Sequence, residues 1–218
     1  MKDLASKLIA YMKSRGDVVF EKDGVLNIIY LEGANIDGTE NADKPDGWND
    51  VRYLVRHFNG YPEMIFVQAA TTEPGVAPTH SFAARKRGGI GRIILGQQKG
   101  WKMGFHKADV NHPALVQCAE LWVHRDVNED YRRTGDPIKR VSGLNQHGTR
   151  DGYDGNNVGN WSEACLVGKR FVRHLEFIAH VKNSPEYQAD NDHVFHTAVY
   201  GADDFNAWVK KNYPANAI

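Results

Sequence analysis

The stretch from Leu144 to Gly168 reads Leu-Asn-Gln-His-Gly-Thr-Arg-Asp-Gly-Tyr-Asp-Gly-Asn-Asn-Val-Gly-Asn-Trp-Ser-Glu-Ala-Cys-Leu-Val-Gly, and it holds the residue types from which acyl transfer is built. Cys165 is one of two cysteines, and His147 stands eighteen positions before it across a polar, glycine-rich segment. A thiol attacks as its thiolate, and an imidazole within hydrogen-bonding reach supplies both deprotonation and a stabilising ion pair. The intervening loop is expected to fold back and join them, with Cys165 as nucleophile and His147 as base. Backbone N–H groups of Ala164 and Cys165 could face an oxygen that turns negative during acyl transfer, with Ser162 and Gly148 in support. Asn145 and Asn157 offer amides to a peptide, as does Asn156. Trp161 either lines a substrate groove or packs. Taken alone, a cysteine beside Leu166 and Val167 is a small buried hydrophobe. Cys118, between Gln117 and Ala119 in an apolar run, is expected in the core.

Other clusters give weaker patterns. His106, His112, His124 and His147 could gather around zinc with Asp126 as a carboxylate ligand, which would make a zinc-dependent peptidase or amidase. No His-Glu-x-x-His is present and no spacing is diagnostic, so the expectation is no metal and no cofactor, with His106 and His112 on the surface or in loops. Asp126-Val-Asn128-Glu-Asp130 alternates oxygen ligands as a calcium loop does, but Tyr131 stands where a glycine is needed. That segment reads as a solvated loop, or as one in which Asp126 braces the site. Gly89-Ile-Gly91-Arg-Ile-Ile-Leu-Gly96 has the wrong spacing for a dinucleotide fingerprint and reads as a strand. Arg85-Lys86-Arg87 reads as a solvated loop, with an anionic polymer or substrate carboxylates as the alternative partners.

The elements that must hold these residues are mainly β, with flanking helices, an α+β chain. Leu4, Leu8, Ile9 and Met12 share one face of an N-terminal helix over 1–15. Strand-like runs follow at 17–20 and 25–31, then a loop from Glu32 to Asp50. Segments 51–58 and 61–69 are joined by Asn59-Gly60, a dipeptide suited to a tight hairpin turn. Further strands are expected at 90–95, 101–106, 115–118, 120–124 and 193–200, and helices at 169–182 and 202–211. The segments 71–89 and 126–160 read as long loops of the functional kind.

Size and composition bound the rest. A chain of 218 residues that is 41% hydrophobic and 25% charged forms one folded domain, 1–218, in which residues 1–50 supply the N-terminal helix and strands packed on it. Twenty-seven basic residues balance twenty-seven acidic ones, so no field favours nucleic acid as partner. The longest apolar runs fall short of the ~20 residues that span a bilayer, so membrane insertion is not expected. Two cysteines suit a chain made in a reducing cytoplasm, and no signal peptide is read at the N-terminus. The sequence does not set an oligomeric state.

His147-Gly148-Thr149, followed one loop later by Ser162-Glu163-Ala164-Cys165, resembles the catalytic signature of the L,D-transpeptidase (YkuD-type) family, in which the second element reads Ser-His-Gly-Cys. This chain lacks that His and Gly, and Leu166 stands where an arginine commonly follows the cysteine. Thr71-Thr72-Glu73-Pro74-Gly75 is similar to the family's upstream Thr-Pro-x-Gly turn. The resemblance implies an L,D-transpeptidase-like β-sandwich or barrel, with an N-terminal helix and a helix after the catalytic cysteine. It further implies action on peptidoglycan stem peptides through a cysteine thioester. A divergent, endolysin-like peptidase of phage or bacterial kind is the expected form, made in the cytoplasm and acting on the cell wall after release. Cross-linking by transpeptidation is the alternative, and a noncatalytic wall-binding or virion protein is another.

Overall fold

The computed structural model describes residues 2–214. In chain order it runs α1 (Lys2–Ser14), β1 (Leu26–Glu32), β2 (Asp50–Phe58), β3 (Tyr61–Thr71), α2 (Val76–Thr79), α3 (Phe82–Lys86), β4 (Ile90–Ile93), β5 (Gly96–Phe105) and β6 (Pro113–Gln117). There follow β7 (Leu121–Asp126), β8 (Ile138–Val141), β9 (Gln146–Gly148), β10 (Leu166–Gly168), α4 (Phe171–Lys182), α5 (Pro185–Ala189), β11 (Phe195–Gly201) and α6 (Ala202–Asn212).

Eight strands close a barrel in the order β1-β11-β5-β6-β9-β10-β3-β2, and β4-β7-β8 form a separate three-stranded sheet. The β2–β3 hairpin turns as the sequence predicts, with Asn59 and Gly60 both at positive φ, 51° and 78°. Strand β1 is buried along its whole length, because its two faces serve two cores. Ile28 and Tyr30 join Leu54, Phe66, Trp101, Leu166 and Phe177 in one cluster. Ile29 and Leu31 join Leu8, Met12, Tyr53 and Phe205 in the other, where α1 and α6 cover the barrel wall. Polar links cross the barrel between strands that are not neighbours: Tyr30 donates to Gln146 Oε1 at 3.2 Å, and Gln146 Nε2 donates to Thr197 at 2.7 Å. No described helix is long and apolar enough to cross a membrane.

A buried charge cluster ties the three-stranded sheet to one end of the barrel. Arg133 holds Glu32 with both Nη groups at 2.5 Å, and Arg92 on β4 pairs with Glu73. Asp50 accepts from the Gly33 N–H at 2.9 Å and from the Thr72 hydroxyl at 2.8 Å. Burial, with Glu32 nearby, pushes its carboxyl up to about 8.

Several expectations change. Residues 17–20 form no strand; side-chain amides stand in for a partner strand. Gln97 brackets Val18 through bonds of 3.0 and 2.9 Å, and Asn27 brackets Phe20 through two of 2.9 Å. Within residues 1–50, β1 is a stave of the barrel and α1 packs on its wall. The segment 126–160 contains β8 and β9, and 71–89 contains α2 and α3. Cys118 lies just beyond β6 and is exposed, not core.

Candidate functional site

Strand pairing sets the placement of the two expected residues on neighbouring strands. His147 lies within β9, and Cys165 immediately precedes β10, which runs parallel to β9 with Leu166 opposite Gln146 and Val167 opposite His147. The Leu166 N–H donates to the Asn145 carbonyl at 3.0 Å, extending the pairing to the cysteine. Three residues are enough for each strand because Leu166 and Val167 are fully buried and Gln146 finds its partners inside the barrel.

The Cys165 side chain is half-buried and opens on a cleft of about 180 Å³. Leu144 and Ala164 give the cleft an apolar floor, Arg87, Arg125 and Glu163 supply its charge, and Ser142 and Gly143 form its rim. Sγ accepts from the Asn145 N–H at 3.4 Å and donates to the Gly143 carbonyl at 3.5 Å. Burial pushes the thiol up to about 11. Neither nitrogen of His147 hydrogen-bonds to the sulfur. Nδ1 donates to the Gly148 carbonyl at 2.7 Å, which leaves the lone pair on Nε2, and Nε2 is buried without a partner. Burial, with His106 next, lowers this imidazole to about 3. The resting pair is therefore a neutral thiol and a neutral imidazole.

His106 and His112 lie in the connection between β5 and β6, the loop setting expected of them, and both pack on His147. The His106 ring stacks on it at 3.9 Å, and His112 meets it edge-on at 5.4 Å. His112 Nε2 donates to the Gly148 carbonyl at 2.9 Å, beside His147. The trio does not converge as a zinc site. Among the described residues, ligand atoms of three such side chains come within 4.8 Å of one another at Glu32, Asp43 and Glu73, not at the histidines. His124 and Asp126 belong to the separate sheet, where the Asp126 carboxylate receives the Asp130 and Tyr131 N–H groups at 3.1 and 3.0 Å and so braces its own loop.

The supporting residues divide by role. Ser162 is buried, and its hydroxyl donates to the Cys165 carbonyl at 2.8 Å, fixing the turn that presents the thiol. Gly148 admits α4: a Cβ there would lie 2.7 Å from that of His174. The Asn145 amide is engaged at both ends, accepting from Gln117 N at 3.0 Å and facing His106 Nδ1 at 3.2 Å. Trp161 packs on Tyr153 with centroids 5.3 Å apart, and the Asn157 carbonyl accepts from the Tyr153 hydroxyl. Neither Trp161 nor Asn157 lines the cleft at Cys165. Arg125 carries no motif; its place at the site follows from a sheet contact that local sequence does not record.

Ala164 sits at φ +156°, where a Cβ is disfavoured and where the resembled motif has glycine. Ala164→Gly is expected to relieve that strain by more than the chain entropy it adds, a net of about 1 kcal/mol. The melting temperature should rise by about 2–4 °C in calorimetry; a fall would show that the alanine methyl matters more than the torsion.

Compared with protein-family models, with curated proteins and with solved structures, the chain matches none.

Proposed function

We propose that this chain is a peptidoglycan-active cysteine peptidase on an L,D-transpeptidase-like barrel, cleaving stem or cross-bridge peptides through a thioester on Cys165. What supports this most is a half-buried sulfur opening on a cleft beside the strand whose His147 keeps an unpartnered, buried Nε2. With substrate seated, the thiol leaves the Gly143 carbonyl and gives its proton to Nε2 as Sγ bonds to the peptide carbonyl carbon. His147 returns that proton to the departing amine as the C–N bond breaks, leaving the acyl group on sulfur. Water, deprotonated by the same nitrogen, then releases the acid and restores the thiol. An amine acceptor would turn the same thioester into a cross-link. The buried, apolar flank of the site makes an unpaired thiolate unfavourable, so deprotonation is concerted with attack.

The test is digestion of purified peptidoglycan with product analysis by mass spectrometry. The reading predicts cleavage that iodoacetamide stops and EDTA does not. A product mass gained as water marks hydrolysis, and a joined mass marks cross-linking. Cleavage stopped by EDTA alone would restore a zinc mechanism, and binding to wall without any new amine would leave a noncatalytic wall-binding protein.

A further inference from the structure

The cleft at Cys165 contains more positive charge than its fold consumes. Arg87 Nη2 pairs with Glu163 at 2.8 Å. Arg125, on β7, has no carboxylate within 4.0 Å among the described residues, and its Nη1 donates only to the Gly89 carbonyl at 3.3 Å. Burial, together with Arg87, works against its charge. A guanidinium half withdrawn from water, beside a like charge and without a counter-ion, is unfavourable in the empty protein. Its position is nonetheless built. Gly91, the register partner of Arg125 on β4, leaves room for Ala164: a Cβ at residue 91 would lie 3.1 Å from that of Ala164. The three-stranded sheet thereby packs directly on the Ser162–Cys165 turn and brings Arg125 to the wall of the cleft.

We infer that Arg125 determines specificity at the cleft, receiving a carboxylate of the substrate residue seated beside Cys165. The inference rests on the reading of Cys165 as the reacting thiol. At about 180 Å³ the cleft is smaller than the roughly 300–1,000 Å³ that encloses a whole small molecule, so it takes one charged residue of a longer substrate. A guanidinium fork suits a planar carboxylate held by two parallel hydrogen bonds. Two carboxylates fit that chemistry, the chain terminus and an acidic side chain.

Alkylation rates test the site without turnover. Iodoacetate is anionic and iodoacetamide neutral, and both need the same thiolate, so the ratio of their rates reports local charge and cancels the thiol pKa. Rates at Cys165 and Cys118 are followed separately by peptide mass spectrometry at pH 9. The iodoacetate-to-iodoacetamide ratio should be about tenfold higher at Cys165 than at the exposed Cys118. Arg125→Gln should bring it down to the Cys118 value, and Arg125→Lys, which keeps the charge, should preserve most of it. An unchanged ratio in Arg125→Gln overturns the inference. Three alanine peptides then locate the charge through protection of Cys165 from iodoacetamide: one with a free C-terminus, one amidated, and one amidated but carrying a single glutamate. Protection by the first assigns the terminus and by the third the side chain; equal protection by the neutral amide overturns the inference. Because no cleavage is measured, this result can stand if Cys165→Ala still digests wall, and can fail while the thiol proves essential.

Discussion

Cys165→Ala is expected to reduce release of new amino groups from purified peptidoglycan to background, a loss of about 10⁴-fold or more, as when other covalent nucleophiles are removed. His147→Gln keeps the ring's approximate volume but not its base, and should cost about 10²–10⁴-fold in the same assay. The pH dependence carries its own signature. Burial pushes the thiol up to about 11 and lowers the imidazole to about 3. The neutral pair is thus the resting form across the whole interval, and kcat/KM should stay flat from about pH 5 to pH 9. Activity falls on the acid side only as His147 takes up a proton near pH 3. Iodoacetamide needs the free thiolate, so alkylation of Cys165 should rise about tenfold per pH unit towards pH 11. Alkylation already saturated at pH 7 would show a preformed thiolate–imidazolium pair and contradict the concerted step.

Gly75→Ala should cost about 3 kcal/mol of stability, the upper range for overpacking, and lower the melting temperature by about 6–12 °C. Gly75 has ordinary φ and ψ, −69° and 162°, so torsion does not require glycine there. Contact does, because a Cβ at this position would land on the Gly159 carbonyl oxygen, and neither backbone has a soft side chain to yield. The same residue donates its N–H to the Ser162 carbonyl at 3.1 Å. Pushing these two segments apart would thus also tilt the turn that presents Cys165. Thermal unfolding of the variant, with the Cys165 alkylation rate alongside, checks both effects; a melting point within 2 °C of the parent would refute the packing argument.

The long elements were legible from sequence because their signals are local. Asn59-Gly60 fixed the hairpin through torsions that other residue pairs avoid, and the helical repeat of Leu4, Leu8 and Met12 marked α1. The mainly β character with flanking helices followed from such runs. The short strands next to the site were not legible. Gln146-His147-Gly148 has no apolar alternation, since its inward residue is a glutamine satisfied by Tyr30 and Thr197 across the barrel. Leu166-Val167-Gly168 is too brief to show a period. Val18 to Phe20 failed in the opposite direction, having strand-like side chains but only Gln97 and Asn27 for partners. At the site, residue type picked out Cys165 and His147, because few side chains can serve as nucleophile and base. His106 and His112, which pack on His147, and the guanidinium groups that line the cleft come from the β5–β6 connection, the end of α3 and β7, and only tertiary packing brings them there.

Closure of the barrel has a consequence for how the chain matures on the ribosome. Strand β11 lies between β1 and β5, joined to β1 in parallel and to β5 in antiparallel fashion. Until residue 201 has emerged, two strand borders stay unpaired, one of them built from the first strand to be made. Such borders recruit neighbouring nascent chains, so a message cut short before Phe195 should yield inclusion bodies and not a weakened but soluble product.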